Sequence, residues 1–261
     1  MASAIARGIG DSKLVPYSQI HLSDLHPESA SELAGRGAQV GSNNAAVVDA
    51  AAVLVLATKP DAVLPAVQKE RAMLEQRKPL VISIAAGLTI AALEAALPPG
   101  TRVARVMPNT PALAGVGASG FALGTHATEH DAQLVMAILN SIGLGVRVAE
   151  KDLDAVTGVS GSGPAYVFMF IEAMADGGVR AGLPRAVAQQ LAVQTVLGSA
   201  QLMRDTGRHP GQLKDQVASP GGTTIAAIHA LESGGFRGIV MDAVLAATRR
   251  ATEMGKPKSA L

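Results

Sequence analysis

The sequence predicts an α/β protein: a Rossmann-like domain built on a parallel sheet, followed by an all-α domain that dimerises. Three observations carry this. Between Gln19 and Asn109 short aliphatic runs alternate with stretches of helical spacing; beyond Glu150 the strand signals stop; and within the second half residues 165–171 are apolar on every helical face. Uninterrupted aliphatic runs between helices indicate strands covered on both faces of a parallel sheet. A helix apolar all round must be buried all round, in a core or between subunits. The boundary is placed at Glu150, giving a nucleotide-binding domain over 1–150 and a helical domain over 151–261.

The first element, "MASAIARGIG", reads as an amphipathic helix through Ser3, Ile5, Ala6 and Ile9. "QIHLSD" is a short strand ending at Asp24, and "PESASELAGRG" a polar-faced helix closed by glycine. "AAVLVLATKP" is a buried strand stopped by Pro60, followed by the helical "DAVLPAVQKERAMLEQ". "KPLVISIAAG" and "TRVARVMPN" are two more strands, separated by the helix "LTIAALEAALPPG" with its Pro-Gly stop. In open sheets of this kind ligands bind beyond the carboxyl ends of the strands. Those ends read "SD", "ATKP", "AAG" and "MPNTP", where small residues admit a ligand to the backbone and Asn44, Lys59 and Asn109 offer donors. Any one of them is an ordinary strand-to-helix turn. Four along one edge point to a nucleotide site.

A dinucleotide site needs a strand, then Gly-x-Gly-x-x-Gly/Ala, then a helix whose N-terminal N–H groups meet the pyrophosphate. "MASAIARGIG" supplies that helix, with Ala2 as the last small residue of the motif. The strand and the first two glycines are expected upstream of Met1. The one literal match elsewhere, over Gly115, Gly117 and Gly120, follows no strand and opens no helix, so it is expected to be a flexible loop.

In the second half "SGSGPAYVFMFIEAMADGGVRAGL" is a helix with Ser162 as its cap and Pro164 in its first turn. "PRAVAQQLAVQTVLGSAQLMRDTG", "SPGGTTIAAIHALESGG" and "FRGIVMDAVLAATRRATEMG" are three further helices, and the tail "KPKSAL" is expected to be disordered. "SPGGTT" carries the sharpest chemistry. Ser219 caps, Pro220 sets the first turn, and Gly221 and Gly222 bare N–H groups at a helix N-terminus, a site for a carboxylate or phosphate. Other strings are set aside. In "HATEH" the spacing of Thr128 and Asp131 reads as a capping box that leaves His126 outside the helix, so no metal site is expected. "GVSGSG" never forms Gly-x-Ser-x-Gly, and Lys214 with Asp215 is a solvated pair.

Composition narrows the function. Among 261 residues, 22 Lys and Arg nearly balance 21 Asp and Glu, and there are only 4 Phe, 2 Tyr and no Trp. That leaves no electrostatic case for nucleic acid and few stacking platforms. The absence of cysteine excludes disulfides, thiolate metal sites and a cysteine nucleophile. No apolar run spans a membrane and no signal peptide is visible, so a soluble, cytoplasmic protein is expected.

The segments "RVMPNTPA", "DAVTGVSGSGPAYVFMFIEAMADGGVRAGLPR" and "HPGQLKDQVASPGGTTIAAIHALESGGF" resemble pyrroline-5-carboxylate reductase, the last enzyme of proline biosynthesis, and the similarity runs from about Ala2 to Gly255. The resemblance implies an NAD(P)H-binding Rossmann domain, with NADPH preferred over NADH, and a helical domain that interlocks with a second copy, commonly within a decamer. It implies reduction of a cyclic imine, a small-molecule substrate, by hydride transfer, which asks for orientation more than for a strong base. Ser219 and the N–H groups of Gly222 and Thr223 would hold the substrate carboxylate, and Thr224 would hydrogen-bond the imine nitrogen and pass it a proton. "SGSGPAY" would line the same pocket. Ala57, Lys59, Ala85, Ala86, Gly87, Met107, Pro108 and Asn109 would contact the cofactor, with Asn44 near its adenosine end. Asp24 stands where an acidic side chain favours the ribose of NADH, and His26 and Arg36 would compensate for a 2′-phosphate. The family begins with a strand and Gly-x-Gly-x-Met-Ala, whereas this sequence starts at that Met-Ala, which predicts two unpaired strand edges, weak cofactor binding and poor stability. Two other readings remain. A β-hydroxyacid-type dehydrogenase would want a catalytic lysine on "GPAYVFMFIEAMADGG", which has none. A non-catalytic oligomerising subunit is a chain that dimerises without its glycine loop.

Overall fold

The computed structural model describes residues 1–255, so the tail "KPKSAL", read as disordered, lies outside the described residues. The chain forms two compact units. The sheet unit takes in residues 1–162 and the last turns of the chain from Leu245, and the helical unit takes in 163–244.

In the sheet unit α1 (Ala2–Asp11) leads to β1 (His21–Ser23), α2 (Ser31–Gly35), β2 (Gln39–Gly41) and α3 (Asn44–Ala50). β3 (Val53–Leu56) is followed by α4 (Pro60–Lys69) and α5 (Arg71–Arg77), then β4 (Leu80–Ser83), α6 (Ile90–Ala96) and β5 (Val103–Met107). β6 (Gly117–Leu123), α7 (Glu129–Asn140), β7 (Gly143–Arg147) and the short α8 (Leu153–Val156) complete it. The strands form two sheets. β1 and β2 pair in parallel by themselves, while β3 to β7 lie side by side in sequence order, parallel except for the antiparallel β5–β6 pair. β4 is buried at every residue and β5 at all but its last, as the aliphatic runs predict for strands covered on both faces.

Several elements differ from their sequence readings. The glycine match is not a flexible loop from Gly117 on: Gly117 to Gly120 lie on β6 and pair with β7, and Gly120 also pairs with Met107 of β5. Its small residues suppress strand propensity, but two flanking ladders and the fully buried Phe121 supply what propensity lacks. The helix after Pro60 breaks at Glu70 into α4 and α5. β2 and α3 were hidden in "AQVGSNNAAVVDA", which is too short and alanine-rich to show a period.

The sheet unit also runs past Glu150. Arg105, only 7% exposed in the middle of β5, pairs with Glu150 at 3.3 Å and Asp154 at 3.7 Å, and this ties the 150–156 segment to the sheet.

The helical unit holds α9 (Gly163–Arg180), α10 (Arg185–Thr206), α11 (Pro210–Gln216), α12 (Thr223–Ser233) and the first half of α13 (Phe236–Met254). α11 was not read from the sequence. α9 and α10 pack through a thin seam of Ala175, Ala188 and Ala192, and Arg185 closes their connection by pairing with Asp176 at 2.5 Å.

Candidate functional site

Each strand end predicted to border a ligand is followed by small or polar residues at the rim of the sheet unit. β1 ends in Ser23 and is followed by Asp24, and after β3 come Ala57, Thr58 and Lys59, with Lys59 the exposed N-cap of α4. After β4 come the buried Ala85 and the half-buried Ala86 and Gly87, and after β5 come the buried Pro108 and Asn109. Asn44 opens α3 at an exposed position, capped by Asn43, whose side chain accepts from the Ala45 N–H at 3.0 Å. Ser23, Asp24, Asn44, Ala57, Thr58 and Ala2 all line one cavity of about 640 Å³. The residues nominated from the sequence on the β1, β3 and α3 side are thereby brought together. Lys59, Met107, Pro108 and Asn109 lie on strand ends but outside that cavity's lining.

Three side chains behave differently from expectation. Asn109 is 8% exposed, and its amide bridges the chain internally: Oδ1 accepts from the Ala118 N–H at 2.8 Å and Nδ2 donates to the Ser160 carbonyl at 3.1 Å. It therefore fixes the end of β5 against β6 and the single π-helical turn over Thr157–Gly161, rather than offering a free donor. Arg36, expected to offset Asp24, instead donates to Asp11 at 2.6 Å and to the Tyr17 hydroxyl at 2.7 Å, with its guanidinium 5.4 Å from the Tyr17 ring centre. The Tyr17 hydroxyl, then the Asp11 carboxylate, raise its pKa further. His26 faces Glu28 at 3.3 Å. Asp24 keeps its carboxylate at the end of β1 and accepts from the His26 N–H at 2.9 Å.

Gly87 has a left-handed φ of +77°, and a Cβ there would stand 3.1 Å from the Met254 carbonyl oxygen. Only glycine lets the end of α13 seat on this strand end. The same turn of α13 is pinned by the Thr252 hydroxyl, which donates to Asp154 at 2.8 Å. Sequence reasoning missed the clasp of Arg105, Glu150 and Asp154, because Arg105 sits inside an aliphatic run and its partners lie far along the chain. Glu150 also accepts from the Ile90 N–H at 2.6 Å, which caps α6 from outside.

In the helical unit "SPGGTT" forms a turn and a helix start. The Gly222 N–H donates to the Ser219 carbonyl at 3.0 Å, and Gly221 sits at φ +65°. With Pro220 and Gly221 at its centre this is a β-turn of type II character. Helix α12 begins at Thr223 with Gly222 as its N-cap, and no side chain caps it. Ser219 is thus neither the cap nor in the first turn, and the Gly222 N–H, expected to face a carboxylate, is held by the turn. What the turn achieves is proximity: a Cβ on Gly222 would stand 2.3 Å from the Ser219 Oγ. The arrangement presents the Ser219 hydroxyl beside the first N–H groups of α12, which have no intrahelical partners. The aligned peptide dipoles favour an anion there. Thr224 is half-buried in the first turn.

The strings set aside stay consistent with that reading. The Thr128 side chain accepts from the Asp131 N–H and Asp131 returns a bond to the Thr128 N–H, completing the capping box. Lys214 and Asp215 pair at 2.7 Å on the surface.

A dinucleotide fits the donor set of the sheet unit. The N-terminus of α1 has no side-chain cap, and its Ala2 shares the cavity with Asp24 and Asn44. An uncapped helix start, an acid at the end of β1 and small residues after β3 are what a pyrophosphate, a ribose and a close backbone approach require.

Comparison with known proteins agrees with both halves. Residues 150–254 match the family described as pyrroline-5-carboxylate reductase dimerisation, and residues 1–87 match NADP oxidoreductase, coenzyme F420-dependent. The chain is 48% identical to a pyrroline-5-carboxylate reductase of Pisum sativum over 254 residues, covering 97% of this chain and 92% of that protein. A pyrroline-5-carboxylate reductase structure from Coxiella burnetii superposes with a TM-score of 0.93 at 33% identity, covering 98% of this chain and 96% of the other. The Plasmodium falciparum pyrroline carboxylate reductase, crystallised with NADP bound, gives 0.86 at 33% identity, covering 97% and 94%.

Proposed function

The chain belongs to the pyrroline-5-carboxylate reductase family, and on that footing we propose that it reduces Δ1-pyrroline-5-carboxylate to L-proline with NAD(P)H. The observation that carries the substrate side is the "SPGGTT" turn, which sets a hydroxyl against an uncapped helix start. That is a carboxylate site built without a competing cap.

In this reading the Ser219 hydroxyl and the N–H groups of Thr223 and Thr224 hold the substrate carboxylate. Gly222 contributes by lacking a Cβ, and its N–H keeps the turn closed. The Thr224 hydroxyl hydrogen-bonds the imine nitrogen; a substrate that arrives protonated needs only orientation and hydride, and to one that arrives neutral Thr224 passes a proton that it regains from solvent. NAD(P)H supplies the hydride to the imine carbon. On the sheet unit the α1 start would hold phosphate, Asp24 ribose hydroxyls and Asn44 the adenosine end. Ala57, Lys59, Ala85, Ala86, Gly87, Met107 and Pro108 complete the rim, with Asn109 shaping it from behind. No lysine or histidine need act as a base, because a protonated imine mainly requires orientation and exclusion of water.

The exposed apolar face of α9 and the dimerisation match support a homodimer formed through a helical domain over 151–261; a decamer built from such dimers is the higher assembly we propose. No helix among the described residues is long and apolar enough to cross a membrane. A chain of 261 residues without cysteine suits the reducing cytoplasm, where we place it. The test is oxidation of NADPH at high cofactor concentration. It should require Δ1-pyrroline-5-carboxylate and yield proline in equal amount. A folded dimer that binds both ligands and forms no proline favours the non-catalytic subunit.

A further inference from the structure

We propose that Asn109 is a positioning residue for hydride transfer: one hydrogen bond from its amide sets the wide turn at Thr157–Gly161, and that turn walls the nicotinamide end of the cofactor site. This rests on the reductase reading, which puts the adenosine and ribose at Asn44 and Asp24 and so leaves the nicotinamide to the tips of β4 and β5. Asn109, Ala118 and Ser160 all belong to the sheet unit. Asn109 lies just past β5 and is 8% exposed. Its Oδ1 accepts from the Ala118 N–H of β6 at 2.8 Å, and its Nδ2 donates to the Ser160 carbonyl at 3.1 Å. The amide thus has two tasks that separate by atom, one on the sheet and one on the turn.

The sequence explains why this turn needs a donor from outside. In a continuing α-helix the Ser160 carbonyl would take the N–H four residues on, but that residue is Pro164, which has none and whose ring crowds the carbonyl of a regular turn. The chain widens instead: the Ser162 N–H bonds back five residues to the Thr157 carbonyl at 2.8 Å, a π-helical step. The neighbouring hydroxyls do not anchor the turn to the sheet. Those of Thr157 and Ser160 donate to the Leu153 and Val156 carbonyls of their own helix, at 2.9 and 3.1 Å. Asn109 Nδ2 supplies the donor that Pro164 lacks.

The turn adjoins the rim. A Cβ on Gly161 would stand 3.9 Å from Met107 Cγ at the end of β5, one of the residues that border the cofactor in the proposed function. It is also closely fitted from β6: a Cβ on Gly120 would stand 2.8 Å from Val156 Cγ1, so glycine there admits the helix that leads into the turn. With both amide atoms engaged, Asn109 acts by fixing a geometry instead of holding a ligand. A misplacement of about 1 Å beside the reacting atoms costs up to about a hundredfold in rate.

Asn109→Asp separates the two tasks, since a carboxylate still accepts from the Ala118 N–H but faces the Ser160 carbonyl with no hydrogen to give. The wild-type chain reducing Δ1-pyrroline-5-carboxylate is the reference. In mildly alkaline buffer the variant's kcat should fall about tenfold or more, while the NADPH dissociation constant stays within about threefold, because the phosphate, ribose and adenosine contacts lie elsewhere. In the cofactor-free chain hydrogen exchange should quicken over 157–162 and not at Ala118. The neutral acid regains an O–H for the carbonyl, and burial favours that form, so the kcat deficit should shrink as the pH falls. A purely structural role would lower the melting temperature and leave kcat per folded enzyme unchanged at every pH. Gly120→Ala crowds the same turn from β6 without touching the amide, and it should give the same split between kcat and NADPH binding. Wild-type turnover matched by both variants within about twofold, or an Asn109→Asp deficit equal at every pH, would overturn the role of Asn109 alone. No proline from the folded wild-type chain would overturn the reductase reading and this role with it.

Discussion

In the sheet unit Phe121, Leu93, Val103 and Val135 have no exposed surface, while in the helical unit Phe168, Met169, Leu191 and Leu197 are each more than half exposed. Both halves are rich in aliphatic residues, so hydrophobicity alone does not tell them apart. The difference lies in what each half can cover by itself. Strands of the larger sheet are sandwiched by helices of their own chain, and burying such a side chain contributes roughly 1.5–3 kcal/mol. Helices α9 and α10 meet through alanines and leave their larger side chains outward, which is stable only against further apolar surface.

That contrast can be broken at single residues. Phe121→Ala should cost about 3–5 kcal/mol of stability, by the same amount at every protein concentration, in urea titrations. Phe168→Ala should leave the concentration-independent stability nearly unchanged and weaken self-association instead, read by sedimentation. Equal behaviour of the two variants would erase the distinction drawn between the halves.

The next largest effect is expected at the substrate turn. Gly222→Ala places a methyl 2.3 Å from the Ser219 Oγ, so the Ser219 hydroxyl must turn away from the helix start. The loss should be about 1–3 kcal/mol, appearing as a raised KM for the imine.

Asp131 sharpens the comparison from the sheet side. It is fully buried, and burial alone would push its pKa up, but the Thr128 N–H and hydroxyl, with Arg102 at 2.7 Å, outweigh this and hold it below the ordinary value. A depressed pKa in the folded state stabilises above the unfolded value, and that contribution is lost as the pH falls through the folded one. Asp131→Asn should therefore cost about 1–2 kcal/mol near neutral pH, the size of a lost cap, and less under acid conditions. Denaturation midpoints measured across pH check this.

The smallest effect concerns the cofactor. With Arg36 committed to Asp11 and Tyr17, Asp24 would meet a 2′-phosphate without that partner under the proposed function. Asp24→Asn should shift the ratio of NADPH to NADH affinity toward NADPH by about 1 kcal/mol, of the order of an exposed ion-pair term. Fluorescence titration with each cofactor measures it.

The sequence made the strongly periodic parts legible. The aliphatic runs became β3, β4 and β5, and the uniformly apolar stretch at 165–171 became an exposed helix face whose match is a dimerisation domain. Among the described residues β1 pairs only with β2, and β3 within its sheet only with β4. What escaped notice depends on contacts rather than on pattern. β6 is a strand because two ladders hold it, although Gly117 and Gly120 argue for a loop. Asn109 is occupied by groups in β6 and the π turn, and no spacing rule predicts that. At "SPGGTT" the residue types pointed to an anion site, but the cap moved to Gly222 because the type II turn needs the Gly222 N–H for itself.

The central claim is that the sheet unit carries the cofactor and the "SPGGTT" turn carries the imine, so the two can be impaired separately. Steady-state rates with both substrates varied, on the wild-type chain and Gly222→Ala, test it most directly. The account predicts a KM for Δ1-pyrroline-5-carboxylate raised about tenfold or more, with the dissociation constant for NADPH unmoved. An unchanged imine KM, or a parallel loss of NADPH binding in a folded variant, would contradict it.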